Sequence, residues 1–252
     1  MSTNIALPIV TEISGRKIAR NEVLRYEDQR INAAAKKLGI AAPPRGDVHE
    51  RREAFLQNKL ALGNDEILRR LKRDRTMAGA IAKAIAKISA RRRLSVTDLY
   101  VPTGSAQQFV DFFWQCVHNN DEKALLGGHP DHFVQRIAAD GRHEVLETTG
   151  GSPLALHIFV NYEDTSSLVT PIDPAFPGQI AGVARTDGIA VGGFRQQFRD
   201  TPTGFHAQLT VEFPLPTVGH MISGHCWHLA VEWSNWIEAA IGDGATSTEG
   251  ND

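Results

Sequence analysis

The 252-residue chain contains two cysteines, Cys116 and Cys226, too few for a disulfide framework or a four-cysteine zinc site. No run approaches eighteen apolar residues, so no transmembrane helix is expected. The opening "MSTNIALPIVTEISGRK" puts Glu12 before its basic residues, the wrong order for a secretory signal, and the expected compartment is the cytoplasm. Motifs of several enzyme classes are missing too. There is no Gly-x-Ser-x-Gly, and "GGSP" lacks the strand–turn–helix context of a nucleophile elbow. There is no Walker A sequence, and "DGIAVGGF" lacks dinucleotide-loop spacing.

Charge and histidine are unevenly spread. Residues 1–95 hold 21 Lys and Arg against 10 Asp and Glu, whereas the rest holds 6 against 19. Nine of the ten histidines lie between 118 and 228. A basic half raises nucleic-acid binding as a reading. Interleaved acids ("RYEDQR", "HERREAF") and the lack of a binding motif argue against it. Docking of a helical segment on its own acidic remainder, or on a second subunit as a homodimer, is the simpler use. A membrane partner is not expected, although "AIAKAIAKI" reads as an amphipathic helix.

Hydrophobic spacing predicts helices over residues 15–95, broken at "AAPPRGD", with Asn64 or Asp65 as an N-cap. At Leu94 the texture changes. "LSVTDLYVP" reads as a strand and "TGSAQQFVDFFWQCVHNND" as a helix capped near Ser105. Strand-like runs follow, the last two forming a hairpin around "RDTPTG". A long helix from about Thr217 to Ile241 closes the chain. We therefore divide it into a basic helical segment (1–94), an α+β domain (95–241) and a disordered tail (242–252). An antiparallel sheet around a long C-terminal helix encloses a cavity and resembles the Bet v 1-like (START, helix-grip) arrangement.

The terminal helix carries "HCWHLAVEWSNW", residues 225–236. His228 and Glu232, four apart, share one helical face and can both ligate one divalent cation. Trp227, Leu229, Val231, Trp233 and Trp236 surround them, so the pair reads as buried, and a buried charge must be paired or coordinated. Two further ligands would come from elsewhere. His118 ends the aromatic helix, facing the cavity if Phe113, Trp114 and Val117 pack inward. Glu147 shares a strand face with Val145, unless it points to solvent. His225, one turn before His228, is a candidate to support that ligand from behind, and His157 and His206 sit inside strands. Cys116 and Cys226 read as small apolar core residues.

Three motifs in order resemble the diacetylphloroglucinol hydrolase and phloretin hydrolase family: "FFWQCVHNNDEKALLGGHPDHF" (112–133), "VLETTGG" and "HLAVEWSN". The resemblance spans roughly residues 95–240. It implies a Bet v 1-like cavity with zinc on His118, Glu147, His228 and Glu232, with Glu144 or Glu163 as substitutes for Glu147. It also implies hydrolysis of the carbon–carbon bond joining an acyl group to a phenolic ring, on a small hydrophobic aromatic ketone. His129 and His132 in "GGHPDHF" are then the acid–base candidates. The family's substrate-contacting tyrosines have no evident counterparts, since Tyr100 and Tyr162 are the tyrosines of this half. The competing reading is a metal-free carrier or cyclase of the same fold, in which the four residues do not converge.

Overall fold

A computed structural model describes the backbone of residues 6–248 and the side chains as far as residue 242. The chain forms an α+β fold built on one nine-stranded antiparallel sheet. Its elements are β1 (Val10–Ile13), β2 (Arg16–Ala19), α1 (Arg20–Leu38), α2 (Val48–Leu62), α3 (Asn64–Arg70), α4 (Lys72–Ile88), β3 (Arg92–Val101) and α5 (Ala106–His118). Then come α6 (Glu122–Gly127), β4 (His132–Ile137), β5 (His143–Glu147), a 3-10 turn (Thr149–Gly151), β6 (Leu156–Asn161), β7 (Gly178–Thr186), β8 (Ile189–Asp200), β9 (Phe205–Pro214) and α7 (Gly219–Thr248). Strand order across the sheet is β2-β1-β3-β9-β8-β7-β6-β5-β4. No helix of the described residues is long and apolar enough to cross a membrane.

The N-terminal segment, expected to be mainly helical, opens with a hairpin before its helices. Ser14 and Gly15 take positive φ values of 52° and 77°, as both central residues of a type I′ turn must. They fold residues 10–19 into a hairpin, and β1 pairs with β3. The N-terminal segment therefore shares its sheet with the remainder. Helices α1–α4 do occupy the rest of it, and Gly63, not Asn64 or Asp65, stands at the N-cap of α3. Ser105 caps α5 through Gln108 N–H, and β8 and β9 form the hairpin read from "RDTPTG". Helix α7 continues to Thr248, where a disordered tail was expected from 242, and residues 249–252 lie outside the described ones.

The sheet must bend around α7. Five strand spacings separate β3 from β5, about 24 Å in a flat sheet. Yet Thr97 on β3 donates to the Cys226 carbonyl (3.0 Å), and Glu147 on β5 lies 3.8 Å from His228. Two positions only two residues apart on a single helix meet both strands only if the sheet curls. Inside the curl, Leu99, Phe109, Phe113, Phe198, Trp233 and Ile237 belong to the largest core cluster. Phe113 stacks on Trp233 at 5.7 Å. Outside it, α1–α3 pack Ile31, Leu38, Phe55 and Ile67 against Phe133, Val134 and Leu146 of β4 and β5. Burying each such side chain contributes roughly 1.5–3 kcal/mol.

A buried ionic cluster fixes the N-terminal helices to α7. Glu27, fully buried, accepts both arms of Arg52 (2.6 and 2.7 Å) and Asn235 Nδ2 (3.0 Å). Asn235 Nδ2 also donates to the Gly128 carbonyl, and its Oδ1 accepts from Arg20. Burial alone would raise the Glu27 carboxyl, but Arg52, Arg20 and Asn235 outweigh it and hold it below its ordinary 4.5. The stabilisation is therefore present above pH 4.5 and lost as pH falls through the lowered folded value. We predict that Glu27→Gln, followed by urea denaturation, costs about 3 kcal/mol at pH 7. The variant should also lose less stability than wild type on acidification below pH 4.5. Equal stabilities at pH 7 would refute this role.

Candidate metal centre

The convergent cluster is His132, Glu147, His228 and Glu232. Two come from the sheet, where His132 at the start of β4 is the cross-strand partner of Glu147 at the end of β5. Directly paired residues carry their side chains on one face, Cβ atoms about 5 Å apart. The other two come from α7, one turn apart on the side facing these strand ends. The turn after Glu147 brings the layers together. Gly150, at φ 58°, lies so close to the helix that a Cβ there would fall 2.4 Å from the Met221 carbonyl oxygen. A Cβ on Gly224 would fall 2.2 Å from the Gly150 oxygen. Glycine on both sides permits this approach, one turn before His228.

The ligand atoms of His132, Glu147 and His228 lie mutually within 4.8 Å. His132 Nε2 is 3.2 Å from His228 Nε2 and 3.5 Å from both Glu147 Oε2 and Glu232 Oε1. His228 Nε2 is 3.8 Å from Glu147 Oε2 and 3.9 Å from Glu232 Oε2. Donors arranged tetrahedrally at 2.0–2.1 Å from an ion stand about 3.3 Å apart, so the spacing suits a divalent cation. His132, Glu147 and His228 can hold a metal ion, with the Glu232 carboxylate beside them.

The electrostatics match. Burial pushes Glu147 up to about 7 and Glu232 well above the carboxylate range, the latter with repulsion from Glu147. Burial pulls His132 down to about 3 and His228 far below its ordinary value, so both imidazoles are neutral and free to coordinate. Two buried carboxylates facing two neutral imidazoles lack a compensating positive charge, which a cation provides.

A second group, His129, Asp131 and His228, also lies within 4.8 Å, but its carboxylate is engaged. Asp131 accepts both arms of Arg30 (2.8 and 3.0 Å), and His129 Nδ1 accepts from Asp131 N–H (3.0 Å). The His129 ring stacks on His228 at 3.9 Å. His129 thus supports a ligand from behind and does not line the cavity, which removes it from the acid–base role expected of it.

The sequence reading needs a further correction. His118 is exposed at the end of α5, stacked on Trp114, because Phe109, Phe113, Cys116 and Val117 form the buried face of that helix. His132, expected as an acid–base residue, takes its place in the cluster. Glu144 is bound by Arg136 and His157, and Glu163 is exposed, so neither replaces Glu147. His206 pairs with Asp98 under Tyr100, away from the cavity. His225 lines the cavity and stacks on His228 at 5.1 Å.

One supporting residue gave no signal in the sequence. Lys59 of α2 is buried and donates to the carbonyls of Leu126 (3.1 Å), His129 (3.2 Å) and His132 (2.8 Å). Three carbonyls match the three N–H groups of an ammonium. Burial pulls its pKa down to about 7, while Asp131 and Glu27 oppose the shift. Lys59 ties the α6–β4 loop, and with it the His132 backbone, to α2.

Above the cluster opens a cavity of about 510 Å³. Phe113, Trp233 and Trp236 wall it, Tyr162 and Gln135 add polar groups, and Ala78, Ile81, Ala82 and Ile85 of α4 roof it. No family model and no curated protein matches the chain. The site is therefore argued from its geometry. Lys59→Met, which leaves three carbonyls without their donor, should weaken zinc binding about 10- to 100-fold in a competition titration with a chromogenic chelator. An unchanged affinity would show that the loop holds His132 unaided.

Proposed function

We propose that the protein is a zinc-dependent hydrolase that cleaves the carbon–carbon bond between an acyl group and a phenolic ring. The observation that carries this reading is the meeting of His132, Glu147, His228 and Glu232 at the floor of an aromatic-walled cavity. We read the sheet curled around α7 as a Bet v 1-like helix-grip fold, extended by β1 and β2. The resemblance of "FFWQCVHNNDEKALLGGHPDHF", "VLETTGG" and "HLAVEWSN" to the acylphloroglucinol hydrolases supports the same reaction, with His132 rather than His118 in the ligand set.

Zinc bound by these four residues would supply Lewis acidity toward a ketone carbonyl and toward water. Two imidazole nitrogens and two carboxylate oxygens form a hard to borderline donor set that suits it. The chain's own residues do the rest. Phe113, Trp233 and Trp236 offer flat apolar walls to an aromatic ring and keep bulk water out. Tyr162 keeps its proton, because burial raises its phenol, and can donate to a substrate oxygen along the wall. Overall, water adds across the bond: the acyl carbon gains the hydroxyl and leaves as a carboxylic acid, and the ring carbon gains the proton. His225 is the cavity-lining imidazole outside the ligand set that lies nearest in sequence to His228, and it replaces His129 as the proton-carrying candidate.

The test is incubation of the zinc-loaded protein with monoacetylphloroglucinol, following acetate and phloroglucinol by chromatography. We expect both products in equal amounts, and a loss of at least ~100-fold in rate for His228→Ala or after chelation. Metal binding without turnover of any acylated phenol would overturn the hydrolase reading. Tight binding of the same ketones without metal would favour a carrier.

A further inference from the structure

Helix α4 is apolar on two adjacent sides that meet at Ile81. Ala78, Ile81, Ala82 and Ile85 roof the cavity. A second stripe, Met77, Ala80, Ile81, Ala84 and Ile88, follows helical spacing along the solvent side. Its large members are 55% (Met77), 49% (Ile81) and 71% (Ile88) exposed. A helix apolar on both sides is ordinarily covered on both.

The charges around the stripe identify the cover. Lys72, Arg73, Lys87 and Arg91 are exposed at its two ends and make no ion pair among the described residues. The nearby acids are already engaged, Asp74 by Lys37 and Asp187 by Lys83. A second copy fits poorly. An antiparallel α4 would set Lys72 and Arg73 of one copy beside Arg91 of the other, and a parallel one would set like against like. The stripe's three large exposed apolar side chains also fall well short of the roughly 20–30 residues a side of a stable interface, about 800 Å² per partner.

We propose that α4 docks on an anionic lipid surface, with Met77, Ile81 and Ile88 among the acyl chains and the four free cations at the headgroups. Such a helix lies in the interfacial plane and needs no membrane-spanning length. Ile81 belongs to both the stripe and the cavity roof, and Val218, 49% exposed, also lines the cavity. The docked face thus adjoins the cavity rim, where an apolar ligand dissolved in the bilayer can enter without crossing bulk water. The inference goes beyond the proposed hydrolase activity and holds whether or not a metal binds.

Co-sedimentation of the full chain with vesicles tests it, using phosphatidylcholine alone and phosphatidylcholine mixed with phosphatidylglycerol. We expect at least ~tenfold stronger partitioning to the anionic vesicles, reduced by high salt. Met77→Glu with Ile88→Glu, two positions outside the cavity, should abolish it without lowering the thermal midpoint. Equal partitioning to both vesicles, or none to either, would overturn the proposal. So would sedimentation equilibrium showing a dimer that the double variant dissociates.

Discussion

Two carboxylates and two imidazoles share one small buried volume, and the rest of the molecule is arranged around that constraint. An ionised carboxylate removed from water must find positive charge or a proton. Among the described residues Glu147 and Glu232 find neither an arginine nor a lysine, and burial pushes both upward while it strips protons from His132 and His228. His132, Glu147 and His228 therefore form a three-donor group, with Glu232 beside it, that can hold a cation. Folding must hold it closed against its own electrostatics. The turn that seats Gly150 against Gly224 and the cross-strand pairing of His132 with Glu147 do this at close range.

Support at longer range comes from the basic N-terminal helices. Several of their charges turn inward. Arg52 and Arg20 converge on Glu27, Asn235 and Glu238, Arg30 clamps Asp131, and Lys59 pins the loop that leads into β4. The Arg20, Arg30 and Lys59 contacts join the basic segment to the histidine-rich remainder. Helix α4 stands apart. It contributes alanine and isoleucine to the cavity roof and leaves its cations Lys72, Arg73, Lys87 and Arg91 at the surface.

Much of this was legible in sequence, for identifiable reasons. The i,i+4 spacing of His228 and Glu232 among tryptophans marked a buried polar pair on α7. Alternation placed Glu147 on the same strand face as Val145, and turn residues marked the β8–β9 hairpin. The errors were equally physical. His118 was favoured because it ends an aromatic helix, yet the last residue of a helix turns about 100° from its predecessor and here leaves the core. His132 was read as an acid–base candidate and not a ligand, and β4, which it starts, is short and broken in its two-residue period by a bulge between His132 and Val134. The β1–β2 hairpin was hidden in four-residue strands, with "SG" at its turn as the available signal. Lys59 looked like any lysine of a solvated helix, because its three carbonyl partners lie 67 to 73 residues away.

The central claim is the identity of the four converging side chains, and metal stoichiometry tests it most directly. Zinc per chain would be measured by inductively coupled plasma mass spectrometry after loading and desalting, on wild type, His132→Ala and His118→Ala. The account predicts near-stoichiometric zinc in wild type and in His118→Ala, and a loss of nearly all of it in His132→Ala. Retention by His132→Ala with loss in His118→Ala, or a wild type that takes up no metal, would contradict it.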